Sequence, residues 1–280
     1  MKNEFGVMIQ ITKGMNFVEK FKEAQQLGLS SCQLSFWDMD FYNEKTKQEI
    51  KQALKETGFK VSLIWAGWTG PIEWSFIRGP ITLGLVPKRY RQMRLKQLKL
   101  ASDFALDLGV TDIATHVGFL PENMTDKNYA EIVSTLREFC GFLRDRGQNF
   151  LFETGQETPI TLLRTIQDIG LDNVFINFDT ANLILYGKGN SVDAVRVFGK
   201  YIRNTHIKDG FYPTNGKELG AEVKVGEGLA NFPELIPMLR KAGYQGPLTI
   251  EREIWGEEQK RDIRDTVVYL HNILESFQDE

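Results

Sequence analysis

The sequence predicts an α/β fold, a single (β/α)8 TIM barrel occupying residues 1–280 as one domain. Three observations carry that expectation. Short β-rich apolar runs alternate with longer amphipathic runs from end to end, the pattern of parallel strands joined by helical crossovers. Glycine follows most of the helical runs, where a left-handed C′ residue is expected. Eight such units, with long strand-to-helix loops and short returns, favour closure into a barrel. A doubly wound open sheet is the alternative, but no GxGxxG follows the first strand and there is no Walker loop.

The units can be read in order. Strand 4–11 precedes a helix over Asn16–Leu27, closed by Gly28, and strand 31–37 precedes helix Lys45–Thr57, closed by Gly58. Strand 60–68 runs into a long loop before helix Lys88–Leu108, closed by Gly109. Strand 112–118 leads to helix Asp126–Arg146 and Gly147, and strand 149–154 leads to helix Pro159–Ile169 and Gly170. Strand 174–182 is followed by a helix near Val192–Lys200. Strand 202–209 passes through a second long loop to helix Pro233–Ala242, closed by Gly243. Strand 247–253 and a helix from about Glu258 to Phe277 complete the set.

Composition excludes several classes of partner. A net charge of −3 and a pI near 5.8 give no pull toward nucleic acid or an anionic membrane. No apolar stretch approaches the roughly 18 residues of a membrane span, and the N-terminal apolar run is too short for a signal peptide. Cys32 and Cys140 form no CxxC pair and read as buried, reduced thiols. A cytoplasmic protein is the expectation.

In such a barrel, chemistry gathers at the C-terminal strand ends. There the sequence places His116, Glu153, Asp179, His206 and Glu251, on five consecutive strands. Buried carboxylates cost several kcal/mol each unless paired or metal-bound. The four-residue set Glu153, Asp179, His206 and Glu251 offers three carboxylates and an imidazole. That donor set suits one divalent metal ion, Mn²⁺, Zn²⁺, Co²⁺ or Mg²⁺. A satisfied polar core or an ion-pair network is the competing reading.

Four segments carry a resemblance: FETGQET around Glu153, NFDTANLILYG around Asp179, THIKDG around His206, and GYQGPLTIERE around Glu251. They resemble the xylose isomerase-like TIM barrels, which include sugar and sugar-phosphate isomerases and epimerases, inosose isomerases and dehydratases, and endonuclease IV. The similarity covers nearly the whole chain. It implies that Glu153, Asp179, His206 and Glu251 bind one divalent metal. It also implies that Glu153 and Glu251 are catalytic, as base and acid on the carbon beside a carbonyl, through a cis-enediolate. Dimers or tetramers are common among such relatives, so a homo-oligomer is expected.

The expected substrate is a small sugar, sugar phosphate or inosose, and isomerase or epimerase is the expected activity. A dehydratase or lyase acting on a keto-sugar or inosose is the alternative. Ketose 3-epimerases carry His where this chain has Asn182, and Arg where it has Tyr212. The HIKD tetrapeptide is closer to the inosose-type branches. Endonuclease IV is remote: its histidine-rich site is not matched, and His271 falls in the last helix. A binding protein that keeps the metal without catalysis is a further reading.

Expected substrate contacts are His116, Lys208, Trp37, Trp65, Asn182 and Glu157, with Gln156 a lesser candidate. Lys208 shares a face with His206; it can offset the cluster's negative charge or pair in solution with Asp209 or Glu227. All five tryptophans, Trp37, Trp65, Trp68, Trp74 and Trp255, fall at or beyond strand C-termini, and Phe36, Phe119, Tyr186, Phe211 and Tyr212 are expected beside them. Flat apolar faces suit a sugar ring; loop packing or a subunit interface would use the same residues. Loop 66–90 is expected to cap the site, and its Arg78 is a lesser candidate to reach a substrate hydroxyl or phosphate. Loop 211–230, ending at a helix-capping Asn231, can receive a phosphate, although Glu218, Glu222 and Glu227 favour an unphosphorylated ligand.

Overall fold

The computed structural model describes residues 4–276. The barrel strands are β1 (Phe5–Gln10), β2 (Ser31–Phe36), β3 (Lys60–Ala66), β4 (Asp112–Thr115), β5 (Asn149–Glu153), β6 (Val174–Asp179), β7 (Ile202–His206) and β10 (Leu248–Ile250). They form one parallel sheet in the order β10-β1-β2-β3-β4-β5-β6-β7. Its two edges meet through a parallel bridge between Ile207 and Ile250, so the sheet is a near-closed (β/α)8 barrel. A short antiparallel pair, β8 (Asp209–Gly210) and β9 (Glu222–Val223), rises from the end of β7.

The helices are α1 (Phe17–Gln26), α2 (Glu44–Thr57), α3 (Gly79–Thr82), α4 (Lys88–Leu108), α5 (Lys127–Arg144), α6 (Pro159–Ile169), α7 (Asn182–Leu185), α8 (Ser191–Phe198), α9 (Phe232–Lys241) and α10 (Glu257–Ser276). Their starts follow from capping: the side chains of Asn16, Asn43, Asp126, Thr158 and Asn190 each accept a first-turn backbone N–H. The anticipated helix end at Phe277 lies outside the described residues. Asn231 departs from expectation. It precedes α9 in a left-handed conformation, with φ of 55°, and its side chain makes no cap; it bonds Glu234 Oε2 at 2.9 Å instead.

Strand alternation sorts the side chains into two layers. One face, with Leu34, Ile64, Ile113, Phe150 and Ile176, packs against the helices in the main core. The other fills the barrel: Leu63, Trp65, Ala114 and Leu151 form a smaller apolar cluster on one side. Opposite them lie the buried polar side chains Gln33, Asn177, Asn204 and Thr249. Phe36 belongs to the helix-facing layer, stacked on Tyr42 at 4.7 Å and edge-on to Phe104 at 5.2 Å, so it is absent from the aromatic rim. Gln33 and Ser35 take the inward positions of that strand, and period-two alternation turns Phe36 outward.

The long loop after β3 is ordered and carries α3. Leu85 and Val86 both donate to Val117 O, at 2.7 and 3.1 Å, which ties the loop's return to the segment after β4. Gly84 permits this approach: its φ is +66°, and a Cβ there would overlap the Val117 carbonyl. Cys32 and Cys140 are free and buried. Among the described residues no helix is long and apolar enough to cross a membrane.

Candidate metal centre and substrate cavity

Glu153, Asp179 and His206 are the last residues of β5, β6 and β7, and Glu251 follows β10 directly. Each offers one ligand atom, and these atoms all lie within 4.8 Å of one another. His206 Nδ1 stands 2.7 Å from Glu153 Oε1, 3.3 Å from Glu251 Oε2 and 4.0 Å from Asp179 Oδ2. Glu153, Asp179 and His206 are buried.

The surrounding hydrogen bonds leave one oxygen each of Glu153 and Asp179 facing the centre. Gln33 Nε2 donates to Asn177 Oδ1 at 2.9 Å and to Asn204 Oδ1 at 3.0 Å, which sets the orientation of its amide. Gln33 Oε1 therefore faces His206 Nε2 at 2.8 Å, in place to accept from it in the tautomer protonated there. The Nδ1 lone pair is then turned to the carboxylates without a hydrogen-bond partner. Asp179 Oδ1 accepts from the backbone N–H groups of Ala181 and Asn182 at 2.8 and 2.7 Å, leaving Oδ2 without a partner. Asn177 Nδ2 donates to Glu153 Oε2 and frees Oε1. Acceptors this close need a positive charge between them, supplied by a proton or a cation. The donor set therefore fits a divalent ion, and the supporting amides fix its ligands as second partners commonly do.

Without a cation, the same crowding holds a proton on these groups instead. Burial pushes the Asp179 carboxyl well above its usual range. Burial opposes charge on His206, yet Glu153 and Glu251 outweigh it and raise the imidazole well above its ordinary value. For Glu251, burial is outweighed by Lys208 and His206, and its carboxyl is held well below the usual range. Lys208 is buried, with Nζ at 3.1 Å from Glu253, 3.3 Å from Glu251 and 3.8 Å from Asp179. It takes the inward position, and neither Asp209 nor Glu227 is its partner. Asp209 instead accepts the backbone N–H groups of Gly210, Gly226, Gly228 and Ala230, at 2.9 to 3.0 Å, which folds loop 224–230 against the barrel end.

A cavity of about 500 Å³ opens over the cluster. Glu153 and Glu251 line it, together with His116, Asn182, Trp37, Trp65, Trp74, Tyr186 and Trp255. His116 follows β4, is buried, and packs edge-on to Trp74 at 5.1 Å and Trp65 at 5.8 Å. Burial lowers its pKa to about 4, so the ring is neutral. Asn182 Oδ1 lies 3.5 Å from Lys208 Nζ.

Other expected contacts fall elsewhere. Glu157 is outside the lining: it is buried, its Oε1 accepts from Gly155 N at 3.3 Å, and burial raises its pKa to about 8. Gln156 is also buried behind the wall, with both amide atoms unpartnered. Trp68 is buried beneath the indoles, Arg78 pairs with Glu73 at 3.1 Å, and Phe211 and Tyr212 are exposed outside the cavity. From loop 66–90 only Trp74 reaches the lining. His271 packs on Phe5 at 4.6 Å, away from the site. Sequence reasoning missed Gln33, Asn177 and Asn204. Asn177 and Asn204 each stand two residues before a ligand, hence on the same strand face, and that spacing was the available signal.

A parallel eight-stranded barrel with a buried three-carboxylate, one-imidazole cluster beneath an indole-walled cavity defines a class of barrel protein with a candidate divalent-metal site. The chain belongs to the xylose isomerase-like TIM barrel family, whose model matches residues 21–271. A xylose isomerase domain protein from Planctomyces limnophilus is 31% identical over 100% of both chains, with a TM-score of 0.91. A xylose isomerase-like TIM barrel protein from Mycobacterium smegmatis, solved in complex with magnesium, is 17% identical, with 98% and 97% of the two chains covered and a TM-score of 0.71. The 3-keto-D-glucoside 4-epimerase YcjR from E. coli is 20% identical, with 97% and 100% covered and a TM-score of 0.69. The latter two likenesses concern the fold. Sugar 3-epimerases and a probable dehydratase share it as well. The uncharacterized protein MJ1311 of Methanocaldococcus jannaschii is 27% identical over 195 residues, 64% of this chain and 61% of that protein's length.

Proposed function

We propose that this chain is a divalent-metal-dependent isomerase or epimerase of a small, unphosphorylated carbohydrate, working by proton transfer at a carbon next to a carbonyl. The observation that carries this reading is the unpartnered, inward-facing pair His206 Nδ1 and Asp179 Oδ2, beside Glu153 and Glu251 at the base of the cavity. Glu153, Asp179, His206 and Glu251 would hold the ion, Mg²⁺ or Mn²⁺ by the hardness of three carboxylates. When bound, a divalent cation supplies stabilisation of the negative charge that develops on substrate oxygen.

The protein's own residues do the rest. Glu153 and Glu251 come from strands three apart across the barrel seam, and in this reading one takes the proton while the other returns one. Lys208, 3.3 Å from Glu251, offsets the negative charge of the carboxylate cluster. Trp37 and Trp65 face the sugar's C–H surface, and His116 and Asn182 meet its hydroxyls. The cavity's Glu222 and Glu253 disfavour a phosphate, and Arg252 is engaged by Glu222 at 3.0 Å and Asp262 at 2.8 Å. The same acidic lining argues against a nucleic-acid substrate.

Proton NMR in D₂O, with Mg²⁺-loaded protein and a panel of ketoses and inososes, tests the reading. Deuterium entering a carbon beside the carbonyl, with an epimer or isomer accumulating, is the expected result. Loss of substrate signal without such a product would move the assignment to a dehydratase. No exchange across the panel would overturn proton-transfer chemistry.

A further inference from the structure

The cavity reaches well past the carboxylate cluster, and its indoles are graded by depth. Trp65 is buried beside His116, Trp74 is 41% exposed, and Trp255, on the loop after β10, is 70% exposed while still lining the same cavity. An indole this exposed leaves a large apolar face in water, which a ligand or a partner would cover. A volume of about 500 Å³ lies within the range of sites for drug-sized ligands, larger than one sugar ring.

Charge restricts what can lie at the outer end. Arg252 is committed to Glu222 and Asp262, and Lys208 to Glu251, Glu253 and Asp179, so neither cation remains for an anionic group. Beside Trp255 the lining is polar and fixed, with Gln259 Nε2 donating to Arg252 O at 2.8 Å. An exposed flat apolar face flanked by polar groups without a free cation suits a second uncharged sugar ring.

We propose that the ligand is extended: a keto-sugar carrying a second, neutral ring, with the reacting ring over the carboxylates and the far ring against Trp255. This rests on the carbohydrate reading above and specifies its substrate class. The test is titration of Mg²⁺-loaded protein, followed by tryptophan fluorescence and calorimetry, with D-fructose and with turanose, maltulose and isomaltulose. These disaccharides keep the ketose and add a glucosyl ring at different positions. The expected result is at least one disaccharide binding roughly ten-fold tighter than D-fructose, as one added aromatic stack supplies, with Trp255→Ala collapsing that preference. Equal binding of all four sugars, or a preference that survives Trp255→Ala, would overturn the extended ligand and leave the carbohydrate reading standing. Binding of none of the four would instead count against the carbohydrate reading itself. A Trp255→Ala change in sedimentation mass with no preference in the wild type would assign the indole to a subunit contact and reject the proposal.

Discussion

The imidazole of His206 answers to a residue on another strand, Gln33 of β2. Gln33 Oε1 lies 2.8 Å from Nε2, and by accepting a proton there it would leave the Nδ1 lone pair for a cation. Gln33→Met keeps the volume and removes the acceptor, so Mg²⁺ or Mn²⁺ affinity measured by calorimetry should fall about 10- to 100-fold; an unchanged affinity would refute the tautomer argument. Glu153→Gln and Glu251→Gln should each abolish turnover, because an amide neither accepts nor returns the proton; full activity in either, with metal bound, refutes its assignment. Glu157 makes a pH prediction. Its carboxyl releases its proton near 4.5 in the unfolded chain but holds it to about 8 when folded. The unfolded state therefore binds fewer protons between those values, and stability falls as pH rises through that window. Glu157→Gln should remove this contribution, flattening the decline in Tm between pH 5 and pH 8; an unaltered slope would show that Glu157 titrates normally.

Several side chains of α4 hold the loop after β3, among them Arg91, which donates to Leu85 O and Val86 O, and Arg94. Arg94, 1% exposed, donates to the carbonyls of Thr82, Gly84 and Pro71 at 2.7, 2.6 and 3.0 Å. Its guanidinium also lies 5.1 Å from the Trp68 ring and 4.7 Å from Tyr90. Trp68 in turn meets Trp37 at 5.4 Å and Trp74 at 6.4 Å, so the loop anchor supports the cavity's indole wall. Arg94→Met would strand those carbonyls and cost about 2–4 kcal/mol. Hydrogen exchange should then rise in residues 69–86 before it rises in the barrel strands. Uniform exchange across the chain would mean that the guanidinium serves global stability and not this loop.

At the scale of the molecule, the four candidate ligand residues join β5, β6, β7 and the end of β10, spanning the seam where the sheet closes. That seam has few bonds of its own: Ile207 N donates to Thr249 O at 2.6 Å and Glu251 N to Ile207 O at 3.1 Å. A cation bound there stabilises the folded barrel by mass action, about 2.7 kcal/mol at one hundred times Kd. Magnesium or manganese should thus raise Tm reversibly, with EDTA restoring the lower value. His206→Ala should abolish the shift; a shift that persists in this variant would place the ion elsewhere.

Local pattern was enough to reveal the strands, the helix caps and the strand-end residues Glu153, Asp179, His206 and Glu251, because alternation and capping act over a few neighbouring positions. The same logic read Lys208 correctly as inward-facing. It failed at Phe36, where the strand end was legible and the face was not, and at Glu157, whose place in the loop after Glu153 suggested a contact while packing carried it behind the wall. Closure of the sheet alone decided the rest. It brought Gln33 from β2 to His206 on β7, distant in sequence, and it set which lone pairs meet at the centre. It also left Trp255 open at the cavity mouth while burying Trp68 beneath it. The division has a physical cause: secondary structure answers to nearby residues, whereas a proton's position, a carboxyl's burial and a cavity's depth answer to groups assembled only when the barrel closes.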